Sequence, residues 1–155
     1  MIIYDNEFLP QAGALIESAK QSIDICTFKV EFTSHHRGRN LMAFYQKVFD
    51  KRASGVKVRF MMNWNTERRA CPSTNKSAVS HFKKNKIIPR ILPRNRCCHA
   101  KIVMVDAKKA IVGSHNLSVA SCSRNFEVSY LVHDQIAVTA LQMIFNAIYK
   151  ASSTI

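Results

Sequence analysis

Apolar residues in this chain recur with two different periods, and the two periods alternate along its length. Phe8, Leu9, Ala12, Leu15, Ile16 and Ala19 are spaced for one face of a helix over Asn6–Lys20. Leu41, Phe44, Tyr45, Val48 and Phe49 do the same over Asn40–Ala53, where Ser54-Gly55 supplies a stop. Between and after them, short runs rich in Val, Ile, Phe and Met predict strands at Ser22–Phe28, Val56–Met62, His99–Val105, Ala110–Gly113 and Phe126–Val132. Asn63–Thr74 reads as a loop, Lys76–Lys86 as a short basic helix, Ile87–Leu92 as an extended segment broken by Pro89, and Gln135–Lys150 as a closing helix. Alternation of this kind predicts an α/β fold, a mixed β-sheet sandwiched between helices. With 155 residues, 47% of them hydrophobic, the chain can bury one sizeable core, and a single domain over 1–155 is expected. Only four Gly and four Pro are present, and nothing repeats at a fixed period.

Charge narrows the partner. Twenty-three Lys and Arg against ten Asp and Glu leave a net charge of +13, more than solubility requires and suited to a polyanion. Nucleic acid fits best, although an anionic membrane surface would attract the same charge. No window holds the roughly 18 apolar residues of a membrane span, so no integral membrane segment is expected. The opening Met1–Glu7 is acidic where a secretory signal would be basic. Cys26, Cys71, Cys97, Cys98 and Cys122 form neither a C-x-x-C pair nor zinc-like spacing. They read as small buried thiols in a reducing, cytoplasmic compartment, with no metal and no cofactor implied.

Chemistry concentrates around residue 100. Side chains alternate along a strand, so His99 and Lys101 share a face. Asp106-Ala107-Lys108-Lys109 has the composition of a four-residue turn. If Val105 pairs with Ala110, Ser114 stands opposite Lys101 and Asn116 opposite His99, which gathers four polar groups around Gly113. Gly113 has no Cβ and lets substrate or another backbone come close. An imidazole, an ammonium, an amide and a hydroxyl together suit phosphoryl chemistry, the His attacking phosphorus while Lys and Asn neutralise oxygens that gain charge. A Mg²⁺ site wants carboxylates, which are scarce here, so the chemistry is expected to be metal-independent.

His99-Ala-Lys101, four residues, Asp106, six residues and Gly113-Ser114-His115-Asn116 resemble the H-x-K-x4-D-x6-G-S-x-N signature of the phospholipase D superfamily at every specified position. Six fixed positions should coincide by chance in on the order of one in 10⁵ to 10⁶ sequences of average composition. His81-Phe82-Lys83 is a useful control: it is also H-x-K, but Ile88 stands where Asp is needed and no Gly-Ser-x-Asn follows. Arg124–Val128 is similar to the family segment that delivers a carboxylate to the site, so the resemblance implies that Glu127 hydrogen-bonds the nucleophilic imidazole. Asp106 lies at the turn on the other face, and a structural role such as satisfying the turn backbone is expected of it.

The resemblance also implies an assembly. Larger members combine two copies of the signature into one site; this chain has one copy and is similar to short members that are endonucleases and dimerise. Two His99 side chains would then share the work, one attacking to give a phosphohistidine and the other protonating the departing oxygen. For the nucleic acid backbone, Lys83, Lys84, Lys86, Arg90, Arg94 and Arg96 form a basic run leading into the His99 strand, with Arg37, Arg39, Arg68 and Arg69 in loops after strands as further candidates. Trp64 reads as a rim residue before a base-stacking one, and His35, His36, His115 and His133 receive no role. No base-reading module is present, so recognition should be weakly specific. The competing readings are a phospholipid hydrolase or phosphatidyltransferase, and a non-catalytic nucleic-acid-binding module.

Overall fold

The computed structural model describes residues 1–64, 73–92 and 96–155. Five helices are present among them: α1 (Phe8–Glu17), α2 (Arg39–Ala53), α3 (Ser73–Lys84), α4 (Val119–Ser123) and α5 (Gln135–Lys150). The strands are β1 (Ile2–Tyr4), β2 (Ser22–Thr27), β3 (Lys57–Met62), β4 (Arg90–Ile91), β5 (Ile102–Val105), β6 (Lys109–Gly113), β7 (Val128–Val132) and β8 (Ser153–Thr154). They form one mixed sheet in the order β1-β7-β6-β5-β2-β3-β4-β8, with β2, β3 and β4 parallel and the remaining pairings antiparallel. This is the expected α/β architecture. Arg68, Arg69, Arg94 and most of the loop over Asn63–Thr74 lie outside the described residues.

Alternation along the strands divides the core in two. Ile23, Ile25, Phe60, Met62, Val103, Val105 and Ile111 face α1, α2 and α3 and pack with Leu15, Ile16, Phe44, Tyr45 and Phe82. Cys26, Met61, Ile102, Met104, Ala110 and Val132 face the other way, under Val138 and Phe145 of α5. Asp24 is also on that face, buried, and its carboxylate receives Nε and Nη2 of Arg59 at 2.6 Å each. The guanidinium lies over the rings of Phe145 and Tyr149 at 4.8 and 5.0 Å, so one bidentate pair fastens β2, β3 and α5 together. A buried charge left alone would be expensive, which is why Arg59 forks onto Asp24 instead of reaching solvent.

Local signals explain the helix ends. Asp134 caps α5 by accepting from the Ala137 N–H at 2.8 Å. Gly55 ends α2 with φ of 98°, a conformation glycine adopts without a Cβ clash. Asn75 near the start of α3 is fully buried: its Oδ1 accepts from the Val30 N–H at 2.8 Å, and its Nδ2 donates to the carbonyls of Phe28 and Asn63. It thereby ties the loops that leave β2 and β3.

The β5–β6 hairpin corrects the expected register. Val105 pairs with Lys109, not Ala110, because the loop has three residues, Asp106 to Lys108. Asp106 and Ala107 take φ of 54° and 52°, and the Lys108 N–H closes a turn onto the Val105 carbonyl at 3.0 Å. Paired left-handed residues give a tight turn whose twist matches the strands. The ladder also starts later than expected, at Ile102, so His99 and Lys101 precede the strand.

Candidate active site

Despite the shifted register, the predicted side chains meet. His99, Lys101, Gly113, Ser114, Asn116 and Glu127 line one open cavity of about 400 Å³. Gly113 is the last residue of β6, and beyond it the chain leaves β5 and turns to other partners. The Ser114 N–H donates to the Val128 carbonyl at 2.9 Å, and Ser114 Oγ accepts from the Val128 N–H at 3.0 Å. Asn116 Oδ1 accepts from the Lys29 N–H at 3.0 Å, just past the end of β2. Thus β7 and the β2 loop place the serine and the amide, where the sequence argument had relied on β5 opposing β6.

Gly113 is needed for a neighbouring backbone. A Cβ there would fall 2.4 Å from both the Ser129 Cα and the Val128 carbonyl oxygen. His115, one of the unassigned histidines, is buried on the inner side of this crossing. It stacks on Phe8 with ring centroids 4.5 Å apart, and its nitrogens meet Ser129 Oγ at 2.8 Å and the Asp5 carbonyl at 2.9 Å. Burial pushes its pKa below the usual histidine value, so it serves as a neutral packing group.

Lys101 is buried while His99 is exposed. The ammonium sits 3.0 Å from His99 Nδ1, donates to the His99 carbonyl at 2.6 Å and lies 5.6 Å from the centre of the Phe28 ring. An ammonium can only donate, so the imidazole nitrogen it meets is an acceptor. Burial pushes the Lys101 pKa down, with nearby Cys98 and Glu127 working in the opposite direction. Phe28 also tilts against the His99 ring at 5.0 Å, a contact no local pattern predicts.

Glu127 requires a correction. Its carboxylate accepts from Ser114 Oγ, from Ser121 Oγ at 2.7 Å and from Asn125 Nδ2 at 3.1 Å; among the described residues it makes no hydrogen bond to His99. Burial works to raise its pKa, but these donors, Ser114 foremost, hold it below the ordinary glutamate value. Ser121 Oγ also accepts from the Asn116 N–H at 2.8 Å, so one hydroxyl of α4 joins the amide and the carboxylate. Asp5 completes the frame: its Oδ1 accepts from the Glu127 N–H at 3.0 Å. Ser121 and Asp5 were invisible to sequence reasoning because their partners lie beyond any local spacing.

Asp106 is outside the cavity. Its carboxylate accepts from the backbone N–H groups of Lys20, Gln21 and Ser22 at 2.9, 2.7 and 2.7 Å, the connection from α1 into β2. These contacts satisfy backbone of another segment, where the sequence argument had looked to the turn itself. Among the described residues no three His, Cys, Asp or Glu side chains come together as a metal-binding group.

A family model described as cardiolipin synthase, PLD-like domain, matches residues 13–149. The chain belongs to the phospholipase D-like family. The full fold is similar to the phospholipase D family member Nuc from Salmonella typhimurium, with a TM-score of 0.81 at 15% identity over 100% of this chain and 97% of that one. NucT from Helicobacter pylori gives 0.76 at 15% identity, over 100% and 98%. A cardiolipin synthase of Oceanobacillus iheyensis is 38% identical over 60 residues, which is 39% of this chain; the match spans 12% of the length of that relative.

On this phospholipase D-like fold the predicted cations divide. Arg96 is exposed three residues before His99. Arg37 is exposed beyond β2, where with Glu31, Thr33, His35, Val119 and Arg124 it lines a separate depression of about 210 Å³. Lys83, Lys84 and Lys86 are exposed and none of them lines the cavity of His99: the Lys86 carbonyl accepts from Arg52 Nε beside the entry to β3, and Lys84 borders a separate groove with Phe32, Thr33 and Ser34. A six-residue strand separates its two ends by roughly 20 Å, which sets Lys86 well away from the cavity. Arg90 turns inward, donating from Nε to Ser152 Oγ at 2.9 Å and stacking on Tyr149.

Proposed function

We propose that this chain is a metal-independent phosphodiesterase that cuts nucleic acid as a homodimer, with His99 as its nucleophile. The observation that carries the reading is the meeting of His99, Lys101, Ser114, Asn116 and Glu127 around one open cavity. His99 attacks phosphorus, the P–O bond breaks and the departing oxygen takes a proton from His99 of the second copy; that second imidazole then removes a proton from water, which attacks phosphorus as the P–N bond breaks and frees the first His99. Lys101 and Asn116 neutralise charge on the non-bridging oxygens. Ser114 and Glu127 act as a pair that fixes the wall of the cavity, and Arg96, exposed three residues before His99, is assigned to the backbone beyond the reacting phosphate.

Two features support the dimer. A single chain offers one such imidazole, while the reaction uses an attacking group and a proton donor. Beside the cavity, on the α5 side of the sheet, β1 and β7 leave an apolar face uncovered: Ile2 is 65% exposed, Tyr4 55%, Phe126 98%, Val128 60% and Tyr130 49%. Ile2 pairs with Tyr130 and Tyr4 with Val128, so these four side chains share one surface, with exposed Phe126 just before β7, and Val128 directly follows Glu127. An isologous contact through this face would bring two cavities together.

The net charge of +13 favours a polyanionic substrate over a single headgroup. The relative named cardiolipin synthase favours a lipid phosphodiester as the second reading; no described helix is long and apolar enough to cross a membrane. The deciding experiment offers labelled single-stranded DNA, duplex DNA, RNA and phospholipid vesicles to the native protein and His99→Ala in excess EDTA. EDTA-resistant cleavage of nucleic acid that His99→Ala abolishes is expected. Turnover of vesicles alone would move the substrate to lipid, and a requirement for added Mg²⁺ would refute the mechanism.

A further inference from the structure

Two thiols that the proposed mechanism leaves unused lie directly beneath it. Cys26 is on β2 and Cys98 adjoins His99; both are buried, and their sulfurs are 3.0 Å apart. A disulfide bond measures about 2.05 Å, so closing this contact takes a movement of about 1 Å. The two ends are unequally free to move. Cys26 is within a strand paired on both sides, with β3 and β5, whereas Cys98 precedes the start of β5 at Ile102. Displacement therefore falls on the Cys98-His99 segment.

We propose that Cys26 and Cys98 are a reversible disulfide-forming site for a peroxide-class oxidant, and that the cross-linked state withdraws His99 from its working position. Access selects the oxidant. Both thiols are buried, and the enclosed space beside Cys26, lined also by Thr27, Lys101, Gly113 and His115, is only about 10 Å³, room for about one water. An oxidant for such a pair must be small and neutral, which is why hydrogen peroxide is the class proposed.

The pair is polarised for the reaction. The hydrogen bond from Cys26 and the nearby Lys101 ammonium pull the Cys98 thiol below its ordinary value, while that same hydrogen bond and burial push Cys26 well up. Cys98 thiolate attacks one peroxide oxygen, the O–O bond breaks, and the hydroxide released takes up the proton that Cys98 gave off, leaving water and a sulfenic acid. The Cys26 sulfur then attacks the Cys98 sulfur, the S–O bond breaks, and the hydroxyl departs with the Cys26 proton as a second water. Two thiols and one peroxide become one disulfide and two waters; the sulfurs lose two electrons and the peroxide gains them.

A 1 Å displacement of a reacting group lowers a rate by about 100-fold, and that is the expected effect of the cross-link. This consequence rests on the proposed role of His99; formation of the cross-link does not. The test treats the native protein with hydrogen peroxide, blocks residual thiols, and searches an unreduced digest by mass spectrometry for a peptide pair joining Cys26 to Cys98. Turnover of a small chromogenic phosphodiester is followed in parallel, before and after dithiothreitol. The linked pair, a fall of about 100-fold and recovery on reduction are expected, with Cys26→Ala retaining its turnover through the peroxide step and Cys98→Ala forming no linked pair. Absence of the pair, or its presence with undiminished turnover, overturns the inference. A reduced protein inactive on every phosphodiester would instead defeat the functional reading, while the linked peptide would still decide this one.

Discussion

Asp106→Asn isolates the one signature residue that stands outside the cavity. Gln21 and Ser22 both donate to Oδ1, and an asparagine oxygen can keep them; Lys20 donates to Oδ2, where the substitution puts an NH₂ group against an N–H. Asparagine tolerates the positive φ of 54° at least as well as aspartate, so the turn itself is not strained. A net hydrogen bond to a charged group contributes about 1.5–3 kcal/mol, discounted here because Asp106 is partly exposed to solvent. A loss of about 1 kcal/mol is expected for Asp106→Asn, and about 2 kcal/mol for Asp106→Ala, which abandons all three donors. The sign with pH follows. Burial opposes ionisation of this carboxyl, but the three N–H donors outweigh it and hold the folded-state pKa below the ordinary value. Its contribution is therefore complete above the unfolded value of about 3.9 and disappears as pH falls through the folded one. Urea unfolding at pH 7 should show Asp106→Asn with a lower midpoint and unchanged slope, and at pH 3 the gap to the native protein should narrow. Turnover by the folded variant should stay within a few-fold of native. Equal midpoints at pH 7, a gap that persists undiminished at pH 3, or a collapse of turnover in folded protein would refute the structural role.

Gly113→Ala should lower stability in urea by about 3 kcal/mol, the upper end for overpacking, because the new methyl meets the Ser129 and Val128 backbone; a neutral effect would mean the β6–β7 crossing is looser than described. Tyr130→Glu and Ile2→Glu charge the exposed face of β7 and β1. Each should halve the mass in sedimentation and reduce cleavage by about 10²–10⁴-fold as the second histidine is lost, and a fully active monomer would contradict the shared site. His115, lowered by burial, takes its proton in the unfolded chain first as pH falls through about 6.5. Native stability should therefore decline from pH 7 to 5 with a slope of up to about 1.4 kcal/mol per pH unit, and His115→Gln should flatten that slope; an unchanged slope would assign it to other groups.

Much of the architecture was legible because burial on one or both faces writes a period into the sequence. α5 begins and ends where the pattern puts it, and α2 and β3 differ by single residues at their starts. The short elements were not legible. β1, β8 and α4 span three, two and five residues, too few to show a period, and β1 and β8 are strands only because β7 and β4 offer them an edge. At the site, the residue types were readable from fixed spacing, but their geometry was not. The hairpin register turned on whether Lys109 belongs to the loop or to the strand, which two left-handed residues decide. Glu127 could be singled out near the site, yet its bonds to Ser114 and Ser121, and the Asp5 frame behind it, depend on elements that meet only in three dimensions. The lysines at 83, 84 and 86 show that nearness to His99 in sequence does not put a side chain in the cavity, because the chain passes through β4, at the other side of β2 and β3, before returning to β5.

The central claim is that His99 carries a covalent phosphoryl intermediate. The most direct measurement is a millisecond quench into alkali, where phosphohistidine survives, during cleavage of an oligonucleotide labelled at the scissile phosphate, followed by mass spectrometry of the digested protein. The account predicts a nucleotidyl adduct on the peptide containing His99 that appears before free product and vanishes as turnover completes. Product forming with no adduct on His99, or an adduct on another residue, would contradict it.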